Sequence, residues 1–262
     1  MNLISQILVN NDCYKANQKM TPKGVMVHST ASNNTYISRY VQPDDGRIGT
    51  NKYNNHWNQP GVGACVHAFI GKLSNGEIAS CQTLPWSMRG WHAGTGSSGK
   101  SANDGYISFE ICEDDLTSKE YFDRVYREAV ELTAYLCKTY NIAVSSDTVI
   151  CHSEGYKKGI ASNHADVMHW FPKHGKSMDT FRADVILEIN KKPAETEGKI
   201  EASDYAKSAW AKLQRAEATD GSNPTGYLIR QDAAVILDRL GYLDIEISEE
   251  EIQEAVNSIR YK

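Results

Sequence analysis

Four of the eight histidines in this 262-residue chain fall in one irregular segment, HSEGYKKGIASNHADVMHWFPKHG, which runs from His152 to Gly175. A fifth, His28, follows the apolar run Val25-Met26-Val27, as His152 follows Val149-Ile150-Cys151. Each is therefore expected where a strand ends and a side chain reaches a cleft. Adjacent strand residues point to opposite faces, so Cys151 is a poor co-ligand for His152. One strand-end histidine is ordinarily a hydrogen-bonded histidine. Two of them, with His and Asp clustered behind the second, suit a catalytic zinc, which takes three protein ligands and keeps a fourth position for water. Such an ion makes bound water acidic and polarises a carbonyl, and a nearby carboxylate commonly acts as general base. Spacing leaves the third ligand open: His164, Asp166 and His169 all fit within NHADVMH.

Other residues carry two readings. His67 lies in a strand-like run, either as a satisfied interior histidine or as a substrate contact. Trp57, Trp86 and Trp91 are sugar-stacking edges or loop anchors, and for Trp57 the anchor is the simpler reading. His174, in PKHGK, reads as an exposed loop residue.

The elements that must position these groups are legible in the periodicity. KGVMVHST is a strand-type run. ACVHAFIGKLSNGEIASCQTL reads as a hairpin around Ser-Asn-Gly. YISFEIC alternates, with Ile107, Phe109 and Ile111 on one face and Tyr106, Ser108, Glu110 and Cys112 on the other. DTVICH is a further short strand. SKEYFDRVYREAVELTAYLCKTYN is a helix whose stripe is Phe122, Val125, Ala129, Leu132, Leu136 and Tyr140. MDTFRADVILEIN repeats the pattern with Phe181, Val185 and Ile189. Strands interrupted by helices imply an α/β fold with a central mixed β-sheet flanked by helices over residues 1–190. NKKPAETEGKIEAS then reads as a linker, 191–202. A small helical unit, 203–262, follows, with a turn cluster at DGSNPTGY.

Composition narrows the class. Hydrophobic content of 40% and charged content of 23% fit a soluble globular chain. No apolar run approaches the length of a membrane span, and no membrane partner is expected. MNLISQILVNNDCYK has no basic residue before its apolar patch, so no secretory signal is read and synthesis in a cytoplasm is expected. The six cysteines form no C-x-x-C pair and are read as small buried hydrophobes rather than a disulfide framework. The net charge of −5 is concentrated in residues 193–262, with 8 Lys+Arg against 14 Asp+Glu, leaving a near-neutral remainder. A basic stripe for nucleic acid is lacking, which argues against a metal nuclease despite the faint His-Asn-His look of NHADVMH.

HST near the start, VHAFIGKLSNG, GWHAG, SFEIC and CHSEG…D…WF occur in the order found in zinc-dependent N-acetylmuramoyl-L-alanine amidases, and the chain resembles that family over roughly residues 20–190. These are the T7-lysozyme-like or amidase 2 enzymes, related in fold to peptidoglycan recognition proteins, and the match is best with endolysins of Gram-positive spore formers. The resemblance implies Zn²⁺ held by His28, His152 and Asp166, with His164 as the fallback ligand. It implies Glu110 as the base that activates water. His164 stands where many relatives carry an oxyanion-steadying lysine, and Val66 where some carry a tyrosine. It places His92 at the cleft and Asn103 beside the site. His67, Trp57 and His169 are the further candidate substrate contacts. The implied reaction is hydrolysis of the amide between N-acetylmuramic acid and L-alanine of peptidoglycan; the alternative is a non-cutting peptidoglycan binder of the same fold. Residues 209–240 resemble wall-targeting segments of clostridial lysins, which implies binding of a cell-wall polymer, with a homo-oligomer or spacer as the other reading. A lysin made without a signal would act on the wall after release.

Overall fold

The computed structural model describes residues 1–191 and Lys212. The chain divides into two units, Met1–Lys191 and Lys192–Lys262. The expectations for the linker beyond residue 191, the helical unit, wall-polymer binding and self-association lie outside the described residues.

Six strands form one sheet in the order β1-β4-β3-β5-β2-β6. They are β1 (Leu3–Ser5), β2 (Gly24–Asn33), β3 (Ala68–Lys72), β4 (Ile78–Gln82), β5 (Tyr106–Glu113) and β6 (Val149–Cys151). Only the β3–β4 hairpin is antiparallel; the pairs β1–β4, β3–β5, β5–β2 and β2–β6 are parallel. The expected mixed sheet is therefore present. The hairpin turns at Gly76, whose φ of 83° suits a residue without Cβ.

One face of the sheet is dry. Val25, Val27, Ile107, Phe109, Ile111 and Cys151 pack there against helices α2 (Lys119–Thr139) and α4 (Met178–Asn190). Helix α2 starts at Ser118, whose side chain accepts the Tyr121 N–H. Its stripe from Phe122 to Leu136 is buried as the spacing predicts, and Tyr140 is partly buried at its end. The opposite face carries the alternate set: Met26, His28, Phe69, Glu110 and Ile150. It is covered by loops and short helical turns rather than by long helices, which leaves room for chemistry.

Four expectations change. Strand β2 does not end at His28 but runs to Asn33, because β5 supplies a ladder past the polar Ser-Thr-Ala-Ser stretch through a register shift between Ser29 and Asn33. Two short elements, β1 and α1 (Asp12–Ala16), have too few residues to show periodicity. Cys13 and Cys65, 52 residues apart, form a disulfide, while Cys81, Cys112, Cys137 and Cys151 are free and buried. The fold brings that pair together, with no cue in spacing. His174 is not an exposed loop residue: its ring stacks on Phe122 at 4.2 Å between centroids and closes the end of the core.

Candidate metal centre and its surroundings

His28 lies mid-strand on β2 and pairs in register with Glu110 on β5, so the two side chains stand side by side on the loop-covered face. His152 is the first residue of α3 (His152–Lys157), directly after β6, and Val27 pairs with Cys151 beside it. The turn into α3 is held from two sides. Glu154 accepts the Cys151 N–H at 3.2 Å, and Arg182 of α4 grips both Glu154 oxygens at 3.0 and 3.1 Å. Arg182 also donates to the Val149 carbonyl.

The loop after α3 returns Asp166 to the same point. Asp166 Oδ2 is 3.1 Å from His28 Nδ1 and 3.5 Å from His152 Nδ1, and the two Nδ1 atoms are 3.1 Å apart. All three residues are buried. Two ring nitrogens and a carboxylate oxygen converge within 4.8 Å of one another. At most one proton can sit between the two Nδ1 atoms, so the set presents free lone pairs and a negative charge at one spot. That donor chemistry fits a divalent cation of the zinc type. Among the described residues this is the one group of its kind.

Charge follows the geometry. Burial pushes the His28 imidazole below its ordinary value, with Asp166 opposing. Burial also disfavours the Asp166 carboxylate, yet hydrogen bonds from His152 and His28 outweigh it and hold Asp166 well below the usual carboxylate range. The Glu110 carboxyl is raised well above its usual range, by burial first and then by the Asp166 and Glu113 carboxylates. Its Oε2 is shielded from solvent and has no partner.

The third-ligand choice is decided by position: Asp166 joins the group, whereas His164 is exposed and stacks on the His152 ring at 4.6 Å between centroids. It stands at the mouth, not in the ligand set. His169 points elsewhere, to Glu113 at 2.9 Å; Glu113 also accepts the Ala31 N–H in the irregular end of β2.

Several expected substrate contacts are corrected. His67 is 0% exposed; its Nδ1 accepts the Ser108 N–H at 3.0 Å and its Nε2 faces the Met88 carbonyl at 2.8 Å. Both nitrogens are used inside the core, so it meets no substrate. Asn103 is also 0% exposed; it accepts the His92 and Ala93 N–H groups and donates to the Gly94 carbonyl. It shapes the loop and does not face the cleft. Trp57 packs edge-on against Tyr40 and Phe69 and anchors its loop. His92 is turned inward, its Nδ1 3.0 Å from His28 Nε2. Ser162, Glu113 and Arg182 are positioning groups the sequence does not single out; a lone Ser in a loop, Glu at a strand end or Arg in a helix carries no spacing signal.

Residues 18–170, more than half of the chain, match the N-acetylmuramoyl-L-alanine amidase family, amidase 2. The chain belongs to this family. The amidase is thus a peptidoglycan hydrolase by membership, and it carries the buried His28, His152 and Asp166 group. Among solved structures it is similar to the Staphylococcus aureus hydrolase AmiA in complex with its ligand, at 20% identity and a TM-score of 0.50, over 72% of this chain and 83% of that one. It is also similar to a mutant endolysin from Bacillus subtilis, at 25% identity and a TM-score of 0.47, over 71% and 99%. The catalytic domain of XlyA is 22% identical over 71% and 99%, with a TM-score of 0.48. The AmiA likeness speaks for the fold alone. No curated relative matches the chain.

Proposed function

We propose that His28, His152 and Asp166 hold a zinc ion, and that Glu110 is the base through which the amidase cleaves the bond between N-acetylmuramic acid and L-alanine. The observation that carries this reading is the partnerless, buried Glu110 Oε2 in register beside the His-His-Asp group. A bound zinc ion supplies an acidified water and polarises the scissile carbonyl. Glu110 accepts a proton from the attacking water and passes it to the leaving alanine nitrogen. Its raised affinity for protons suits that exchange, and a cation held by the adjacent group would favour the ionised carboxylate that takes up the proton. His164, exposed at the mouth over His152, is placed to donate a hydrogen bond to the developing oxyanion. The acidic segment after residue 192 would hold the enzyme on the wall after release, by specific recognition rather than by charge.

The test is a bond-specific digest of purified peptidoglycan with and without a zinc chelator. New N-terminal alanine that disappears with chelator, without new reducing sugar, is the expected result. Reducing sugar would make the enzyme a glycosidase and remove Glu110 and the histidines from these roles. Neither product, with wall binding intact, would leave a binder.

A further inference from the structure

Each histidine of the group uses Nδ1 toward the centre and turns Nε2 outward; that of His28 meets the short loop at His92, and that of His152 meets Ser162, which is itself bonded to that loop at Ala93. His28 Nε2 is 3.0 Å from His92 Nδ1, with the rings edge-on at 77°. His152 Nε2 is 3.2 Å from Ser162 Oγ. The Ser162 N–H donates to the Ala93 carbonyl at 2.8 Å, and its hydroxyl faces that carbonyl too. The loop itself is fixed by buried Asn103, which takes the N–H of His92 and of Ala93. Gly96 locks its far end, where a Cβ would lie 1.9 Å from the Gly159 carbonyl oxygen.

We propose that His92, clamped by Asn103, is a positioning residue that accepts the His28 Nε2–H and so fixes the ring orientation and the tautomer that leaves Nδ1 free for the metal. Ser162 does the same for His152: it donates to the Ala93 carbonyl and accepts the His152 Nε2–H. An outer hydrogen bond of this kind orients a ligating histidine and raises its basicity. His92 has little else to do. Its Nε2 is buried and makes no well-formed hydrogen bond, with only a weak approach to the Tyr106 backbone, so the ring contributes little to fold stability. An apolar residue of similar size removes an unsatisfied group and should fold as well.

This inference rests on the zinc reading, and the experiment separates the two. Zinc affinity of the full chain is measured by competition with a chromophoric chelator, for wild type, His92→Leu, His92→Asn and His92→Gln, alongside metal-free melting curves. An Asn carboxamide reaches the place of Nδ1, and a Gln carboxamide that of Nε2. The expected result is zinc binding about 10- to 100-fold weaker in His92→Leu, unchanged metal-free melting, and recovery in His92→Asn but not in His92→Gln. Wild-type affinity in His92→Leu, or equal affinities in the Asn and Gln variants should Leu not fold, overturns the brace while leaving the zinc site standing. A wild-type chain that takes up no zinc overturns the zinc reading and the brace with it.

Discussion

Glu110 shows how neighbours change the proton affinity of one residue. A carboxyl with a shielded, partnerless oxygen beside two other carboxylates is costly to keep ionised, and such groups concentrate at functional sites. Glu110→Gln should keep the metal and lose turnover by about 10²–10⁴-fold; bound zinc and release of N-terminal alanine are the two readouts, and near-wild-type turnover would exclude Glu110 as the base. His67 makes a different prediction. Burial, against the Met88 and Ser108 backbone, pushes its pKa down to about 4, so the folded state keeps it neutral while the unfolded chain takes up a proton below about 6.5. The unfolded state therefore binds more protons between those values, and stability falls as pH drops through that window, by roughly 3 kcal/mol for this group alone. Denaturant melts of His67→Gln at pH 7 and pH 4.5 should show a smaller loss than wild type.

At the scale of elements, the site depends on struts that touch no substrate. The Arg182–Glu154 fork ties α4 to the turn that presents His152. Truncation in Arg182→Ala removes charge-assisted bonds from a largely buried position and should cost about 2–3 kcal/mol; a chemical melt checks it, and a change within a few tenths would make the fork dispensable. The Cys13–Cys65 bridge ties α1 to the backbone pairing of Cys65 with Trp91, next to His92. Closing a loop of this length stabilises by about 4 kcal/mol in the chain-entropy view. Thiol reductant should therefore lower the melting temperature of wild type and leave Cys13→Ser unaffected; equal responses would show that the bridge does not form in solution.

For the molecule as a whole, the two faces of one sheet divide the labour. Helices α2 and α4 seal one face with an apolar core, and loops and short helical turns cover the other, where His28 and Glu110 stand in neighbouring strands. A cation that binds only the folded site adds stability by mass action, about 4 kcal/mol at a thousandfold excess over Kd. Chelation should therefore lower the melting temperature by roughly 8–16 °C in a unit of this size. Identical melts with and without chelator would argue that the group binds no metal tightly.

Residue type and period are enough for five of the six strands, the two long helices, the hairpin and the pair His28 and His152, because alternation and 3.6-residue spacing are local consequences of backbone geometry. The glutamate on β5 stands out only through the family resemblance carried by SFEIC, not through spacing. Tertiary structure decides the rest: that Asp166 and not His169 joins His28 and His152, that His67 and Asn103 serve the interior, that His92 turns to His28, and that Cys13 meets Cys65. Each of those outcomes depends on where a loop without periodicity returns in space. That return is set by hydrogen bonds and close backbone contacts between segments far apart in the chain, which no local pattern records.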